Sequence, residues 1–173
     1  MFAIRYATAT TWLGKVIIAT TSRGLCGLEL GDDATELVAR LRQRHRFAQL
    51  SPGRDPLGER ALACLEAGGA TPGWHDVPLD LRGTPFQSLV WHALRAIAAG
   101  STVTYSELAE RIARPRAIRA VARACGENPV AVAIPCHRVL RKTGALGGYR
   151  WGLDRKRALL DREGVTLLGR NVA

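Results

Sequence analysis

Cys136 and His137 are neighbours at the end of an apolar run, residues 129–136, and sit between Pro135 and Arg138. A thiol beside an imidazole is a pair suited to nucleophilic catalysis: the ring takes the proton and the thiolate attacks. A cation next to a thiol lowers its proton affinity, so Arg138 favours ionisation of Cys136. The bland alternative is a small core residue closing a buried segment, the usual fate of a lone cysteine. Cys26, Cys64 and Cys125 lack comparable neighbours and read as structural thiols. No C-x-x-C pair occurs, and His45, His75 and His92 stand at no zinc-ligand spacing, so neither metal nor cofactor is expected.

Charge narrows the partner. The chain has 173 residues with 25 Lys and Arg against 15 Asp and Glu, a net charge of +10. Residues 1–80 carry 9 basic and 9 acidic side chains, whereas residues 81–173 carry 16 and 6, so the whole excess lies in the second half. That asymmetry points to a polyanion-binding half joined to a neutral one. Apolar residues make up 47% of the chain, enough for a real core, yet the longest apolar run is far too short for a membrane helix. No basic stretch followed by an apolar one opens the chain, and a cytoplasmic protein with reduced thiols is the expectation.

The elements that must position the Cys-His pair follow from periodicity and caps. Residues 2–8, 15–20 and 25–30 are β-rich runs broken by turn residues, which predicts a small antiparallel sheet. Asp33 with Glu36 caps a helix, a second short helix covers residues 56–67, and the Gly- and Pro-rich stretch 69–78 reads as a linker. The domain boundary is placed near residue 80. Thr84, Pro85 and Gln87 open a helix ending at Gly100, with Phe86, Leu89, Val90, Ala93, Leu94 and Ile97 as its buried stripe. Thr104 with Glu107 caps a short helix that stops before Pro115, and another runs over residues 115–125. The two have the lengths of a helix-turn-helix. In the second, Ile118, Val121, Ala122 and Cys125 share one face, while Arg116, Arg119 and Arg123 share the other. A last helix is predicted over residues 153–162. The fold class is therefore α+β: a small N-terminal domain with antiparallel sheet and helix, then a mainly helical C-terminal domain.

Read together, Gly83-Thr84-Pro85-Phe86-Gln87, Asn128-Pro129, Pro135-Cys136-His137-Arg138-Val139 and Gly148-Tyr149-Arg150-Trp151-Gly152 resemble the O6-alkylguanine-DNA alkyltransferase family, nearest in type to the C-terminal domain of its adaptive-response members. The resemblance covers residues 81–164 in motif order. It implies an RNase H-like N-terminal domain over residues 1–80 and a DNA-binding, alkyl-acceptor domain over residues 81–173. It further implies a monomer that needs no cofactor, binds double-stranded DNA through the minor groove, and accepts the alkyl group of O6-alkylguanine once. The resemblance leaves open whether O4-alkylthymine is accepted as well.

Carried over by position, Cys136 is the acceptor, His137 its base through a water, and Glu163 the carboxylate that orients the imidazole. Asn128 braces the adjoining turn, and Tyr105 donates a proton to the leaving guanine. Arg119 enters the base stack, Tyr149 walls the pocket, and the carbonyls of Cys136 and Val139 with the amide of Arg150 read the guanine edge. Arg116 and Arg123 are DNA-contact candidates from their place on the arginine face. Two departures, Ala122-Arg123 where many members have Gly-Gly, predict narrower acceptance of bulky adducts. The alternative from another class is a non-catalytic, lesion-sensing or regulatory DNA-binding protein. A cysteine hydrolase is a third reading, distinguished by repeated turnover.

Overall fold

The computed structural model describes residues 2–68 and 72–167. They fall into two compact units, one running to Arg82 and taking in Pro129–Ala131, the other comprising Gly83–Asn128 and the chain from Val132 onward.

The first unit is built on three strands in sequence, β1 (Ala3–Thr11), β2 (Gly14–Thr21) and β3 (Gly24–Gly31), joined as antiparallel neighbours. Val16, Ile17, Ile18 and Ala19 are all buried, so β2 is covered on both faces, as befits the central strand of a sandwiched sheet. A fourth strand, β4 (Gln49–Pro52), pairs parallel with β1, giving the order β3-β2-β1-β4. The sequence reading missed β4 because its four residues, Gln-Leu-Ser-Pro, show no apolar alternation. Only pairing with β1 makes it a strand.

Two helices pack on this sheet. In α1 (Ala34–Arg44) the Asp33 carboxylate accepts from the Glu36 amide, and Leu37 and Leu41 are buried. In α2 (Pro56–Glu66) Asp55 caps in the same way, and Ala61, Cys64 and Leu65 face inward. Within the expected linker, residues 72–76 form a 3-10 turn, with Trp74 and Val77 buried; residues 69–71 lie outside the described residues. An aromatic that large does not stay in a loose tether when a core is within reach. Leu25 donates its amide to Pro78 O, Asp80 donates to Leu25 O, and a Cβ on Gly24 would lie 2.7 Å from Pro78 O. Backbone cannot move aside as a flexible side chain does. Gly24→Ala is therefore expected to cost about 1–3 kcal/mol, read as a lowered urea midpoint with unchanged slope.

In the second unit, α3 (Pro85–Arg95) opens with a reciprocal capping box between Thr84 and Gln87. It ends at Ala96, short of Gly100, because residues 96–97 tighten into shorter i-to-i−3 bonds. Its buried face is Val90, Trp91 and Leu94, while Leu89 is exposed. Trp91, left out of the expected stripe, anchors the helix by donating its indole N–H to Ala124 O at 2.9 Å. Helix α4 (Tyr105–Arg111) carries a second capping box, Thr104 with Glu107. After a turn through Ala113, at φ 55°, α5 (Ile118–Gly126) begins three residues later than expected. Val121, Ala124 and Cys125 are buried, but Ile118 is 42% exposed, so the apolar face does not extend to the first turn. A two-residue parallel pair, β5 (Val103–Thr104) with β6 (Val139–Leu140), and α6 (Leu153–Arg162) complete the unit.

Candidate active site

Residues 129–136 are buried throughout, as the apolar run demands. Three of them, Pro129–Ala131, group with the first unit, where Leu28 and the run exchange two backbone hydrogen bonds, Leu28 N–H to Pro129 O and Ala131 N–H to Leu28 O. Val132 follows with φ 67°, a left-handed conformation that a β-branched residue adopts only when its surroundings enforce it. The chain then tightens into a 3-10 turn, Cys136–Arg138, whose three side chains are all buried.

Asn128 braces this turn. Its Nδ2 donates to Ile134 O at 2.8 Å and to Cys136 Sγ at 3.2 Å, and the residue is wholly buried. Burial pushes the Cys136 thiol up to about 11, against the Asn128 hydrogen bond, the charges of Lys156 and Arg150 and a backbone hydrogen bond. The thiol is therefore neutral at rest. This corrects the expectation that Arg138 promotes its ionisation: the guanidinium is committed elsewhere.

That commitment is to Glu163, the residue that closes α6. Arg138 donates Nε to Glu163 Oε2 at 2.9 Å, Nη2 to Oε1 at 2.7 Å, and Nη1 to Ile97 O at 2.5 Å. His137 Nε2 lies 2.9 Å from the same Oε1. Burial pushes the Glu163 carboxyl up, but hydrogen bonds from His137 and Arg138 and the Arg138 charge outweigh it and hold the group at about 2. An ionised carboxylate only accepts, so Nε2 carries the proton and donates. Burial in turn lowers the His137 ring below its ordinary value, against the opposing pull of Glu163. The ring is thus neutral, with its lone pair on Nδ1, a buried atom that no protein group among the described residues engages.

A cleft of about 580 Å³ opens onto the thiol, lined by Cys136, Tyr105, Tyr149, Arg150, Arg141, Ala122, Cys125, Gly126 and Gly148. Gly147, at φ 68°, brings the loop so near Tyr105 that a Cβ there would lie 3.3 Å from the phenol. Burial raises Tyr105 to about 12, and Tyr149 well above its ordinary value, so both phenols keep their protons at neutral pH. Tyr149 meets Trp151 edge to face at 5.2 Å. Lys156, missed by sequence reasoning, is completely buried; its Nζ donates to Val139 O at 2.6 Å, to Leu146 O, and to Gly148 O at 3.3 Å. Burial lowers it to about 8, against nearby thiols. Its place in α6, among charged residues, disguised it as a solvated side chain.

The expected site residues divide into two groups. Asn128 is hydrogen-bonded to Cys136, and His137 and Arg138 to Glu163, while Tyr105, Tyr149 and Arg150 line the cleft with Cys136; Val139 is buried, its carbonyl accepting from Lys156. Arg116, Arg119 and Arg123 do not line the cleft; they are exposed on α5 and the turn before it. Arg123 is paired with Glu127 at 2.9 Å, which also accepts from Gln87. Among the described residues, no helix is long and apolar enough to cross a membrane, and no cluster of His, Cys, Asp and Glu could hold a metal.

Residues 85–165 match the family model of the 6-O-methylguanine DNA methyltransferase DNA-binding domain. Over 161 residues the chain is 44% identical to the bifunctional transcriptional activator/DNA repair enzyme Ada of Escherichia coli, a match covering 93% of this chain and 46% of Ada. It is 54% identical over 88 residues to the methylated-DNA–protein-cysteine methyltransferase of Mycobacterium tuberculosis, 51% of this chain and 53% of that protein. The chain thus spans about half the length of these curated relatives. A crystal structure of M. tuberculosis OGT in complex with DNA superposes with a TM-score of 0.75 at 37% identity, covering 92% of each chain. The O6-methylguanine-DNA methyltransferase from Pyrococcus kodakaraensis gives 0.70 at 26% identity, covering 94% of this chain and 99% of that one. With likeness along nearly the whole length of a solved relative, this chain belongs to the O6-methylguanine-DNA methyltransferase family.

Proposed function

We propose that this protein repairs O6-alkylguanine in double-stranded DNA by transferring the alkyl group to Cys136, one group per molecule. The observation that carries the reading is Cys136 lining an open cleft while held by Asn128, with its chain neighbours His137 and Arg138 hydrogen-bonded to a buried Glu163 carboxylate. The alkyl carbon of a stacked O6-alkylguanine is out of reach of a buried sulfur, so the nucleotide must be flipped into the cleft at a cost of a few kcal/mol. Arg119 filling the vacated stack and Arg116 and Arg123 on phosphates offset that cost. The slim, alanine-rich α5, second of the α4–α5 helix-turn-helix, suits a narrow minor groove.

In the chemical step the thiol proton passes through a water to Nδ1 of His137, and the sulfur attacks the alkyl carbon. The carbon–O6 bond breaks with its electron pair going to guanine, and the Tyr105 hydroxyl supplies the proton that neutralises it. The remaining lone pair of Val139 O, the Cys136 carbonyl and the Arg150 amide read the purine edge, and Tyr149 packs against it. The resulting thioether has no leaving group, so turnover stops there. The division is a small RNase H-like α/β domain over residues 1–80 and a DNA-binding, acceptor half over 81–173, working as a cytoplasmic monomer. Incubation with duplex DNA labelled in the methyl of O6-methylguanine tests the reading. One methyl per chain on the Cys136 peptide is expected; label elsewhere, or binding with no transfer as in a lesion sensor, overturns it.

A further inference from the structure

The Cys136–His137–Glu163 relay leaves Arg138 without a role, yet Arg138 makes more hydrogen bonds to Glu163 than His137 does. Its guanidinium occupies both carboxylate oxygens and is itself pinned to Ile97 O. Only 7% of the residue is exposed, and the Glu163 side chain is fully buried. A bidentate pair of this kind fixes geometry as well as charge. Taking the proposed transfer as its premise, we propose that Arg138 is a positioning residue that sets the resting charge state of the relay: by neutralising Glu163 it keeps His137 an uncharged imidazole with Nδ1 ready for the thiol proton.

The physical case rests on what a bare carboxylate does to a buried imidazole. An ionised Glu163 alone, 2.9 Å from Nε2, would draw a second proton onto the ring, since an opposite charge at that distance favours the charged form. A ring already protonated has no lone pair for the thiol. The charged or titratable groups that bear on His137 are Glu163, which raises its proton affinity, and Arg138 and Lys156, which lower it. Cys136 adjoins it in the chain. Lys156 spends its donors on backbone carbonyls, whereas Arg138 binds the carboxylate itself. Burial is the largest influence that keeps the ring uncharged, and of the two cations that assist it Arg138 is the one whose removal also leaves the Glu163 charge bare. Its work is lost if the charge goes and partly kept if the fork alone goes.

Three measurements on the full chain test this. Nitrogen-15 NMR of the wild-type imidazole at pH 7 should show neutral His137 protonated at Nε2; a doubly protonated ring overturns the proposal. The rate of Cys136 alkylation by a small alkyl halide, followed against pH by intact mass, should rise as the His137 imidazolium loses its proton. In Arg138→Met that ascending limb should move up by about one pH unit, a roughly tenfold slower reaction below it. Arg138→Lys, which keeps the cation, should lower the rate while leaving the limb within a few tenths of a unit of wild type. An unshifted limb in Arg138→Met, or the same shift in both variants, assigns Arg138 to structure alone. If Arg138→Met does not fold, Arg138→Gln, which also removes the cation, takes its place with the same expected shift. The alkyl halide and the NMR need no DNA, so failure here is distinct from failure of methyl transfer from O6-methylguanine.

Discussion

Cys136→Ala is expected to abolish methyl uptake from O6-methylguanine DNA entirely, while leaving the protein folded and able to hold the damaged duplex. The acceptor sulfur is the only atom whose bond to carbon ends the reaction, so no partial activity survives its removal. Cys136→Ser keeps an oxygen in place, but a hydroxyl is far less acidic and less nucleophilic than a thiol, and the rate should fall by about 10⁴-fold or more. Folding should suffer little. Asn128 loses one acceptor but keeps Ile134 O at 2.8 Å, so the brace on the turn survives, and deleting one buried sulfur costs on the order of 1 kcal/mol. Intact mass after incubation with damaged duplex reads the transfer, and a gel shift reads the binding. Full methylation of Cys136→Ala at another residue would refute the assignment.

Glu163→Gln should damage both stability and rate. Glu163 accepts from His137 and twice from Arg138, and all three side chains are buried. A glutamine keeps one oxygen and presents an NH₂ to groups that are themselves donors, leaving the Arg138 charge uncompensated. Breaking one side of a buried ion pair costs about 3–5 kcal/mol. The transfer rate should fall by about 10²- to 10⁴-fold, because the Nε2–H tautomer is no longer enforced. The pH dependence of stability carries a second signature. The Glu163 carboxyl is held at about 2 in the folded state, below its ordinary value of 4.5. Its contribution is complete above 4.5 and is lost as the pH falls from there towards 2. Wild-type denaturation midpoints should drop across that window, and the glutamine variant should lack this part of the drop. Equal acid sensitivity in the two proteins would mean that Glu163 is not held ionised by the cluster.

Much of the local structure was legible in the chain because caps and periodicity are local. The Thr84–Gln87 and Thr104–Glu107 boxes, the Asp33 cap and the span of α6 depend on residues within one turn of each other. Strand β4 was not legible, since four polar-leaning residues become a strand only beside β1. Nor was the burial of Trp91 in place of Leu89, which depends on where the Ala124 carbonyl lies.

What the sequence determined by itself was the adjacent thiol and imidazole of Cys136 and His137, the family and the confinement of positive charge to one half. These are matters of residue type and order. The tertiary structure decided which charge acts on which group. Glu163 lies 26 positions from His137, and only the placement of α6 against the Cys136–Arg138 turn brings the two within 2.9 Å. It also reversed the part assigned to Arg138, from activating the thiol to clamping the carboxylate. Electrostatic coupling follows distance and burial in space, and neither can be read from adjacency along the chain.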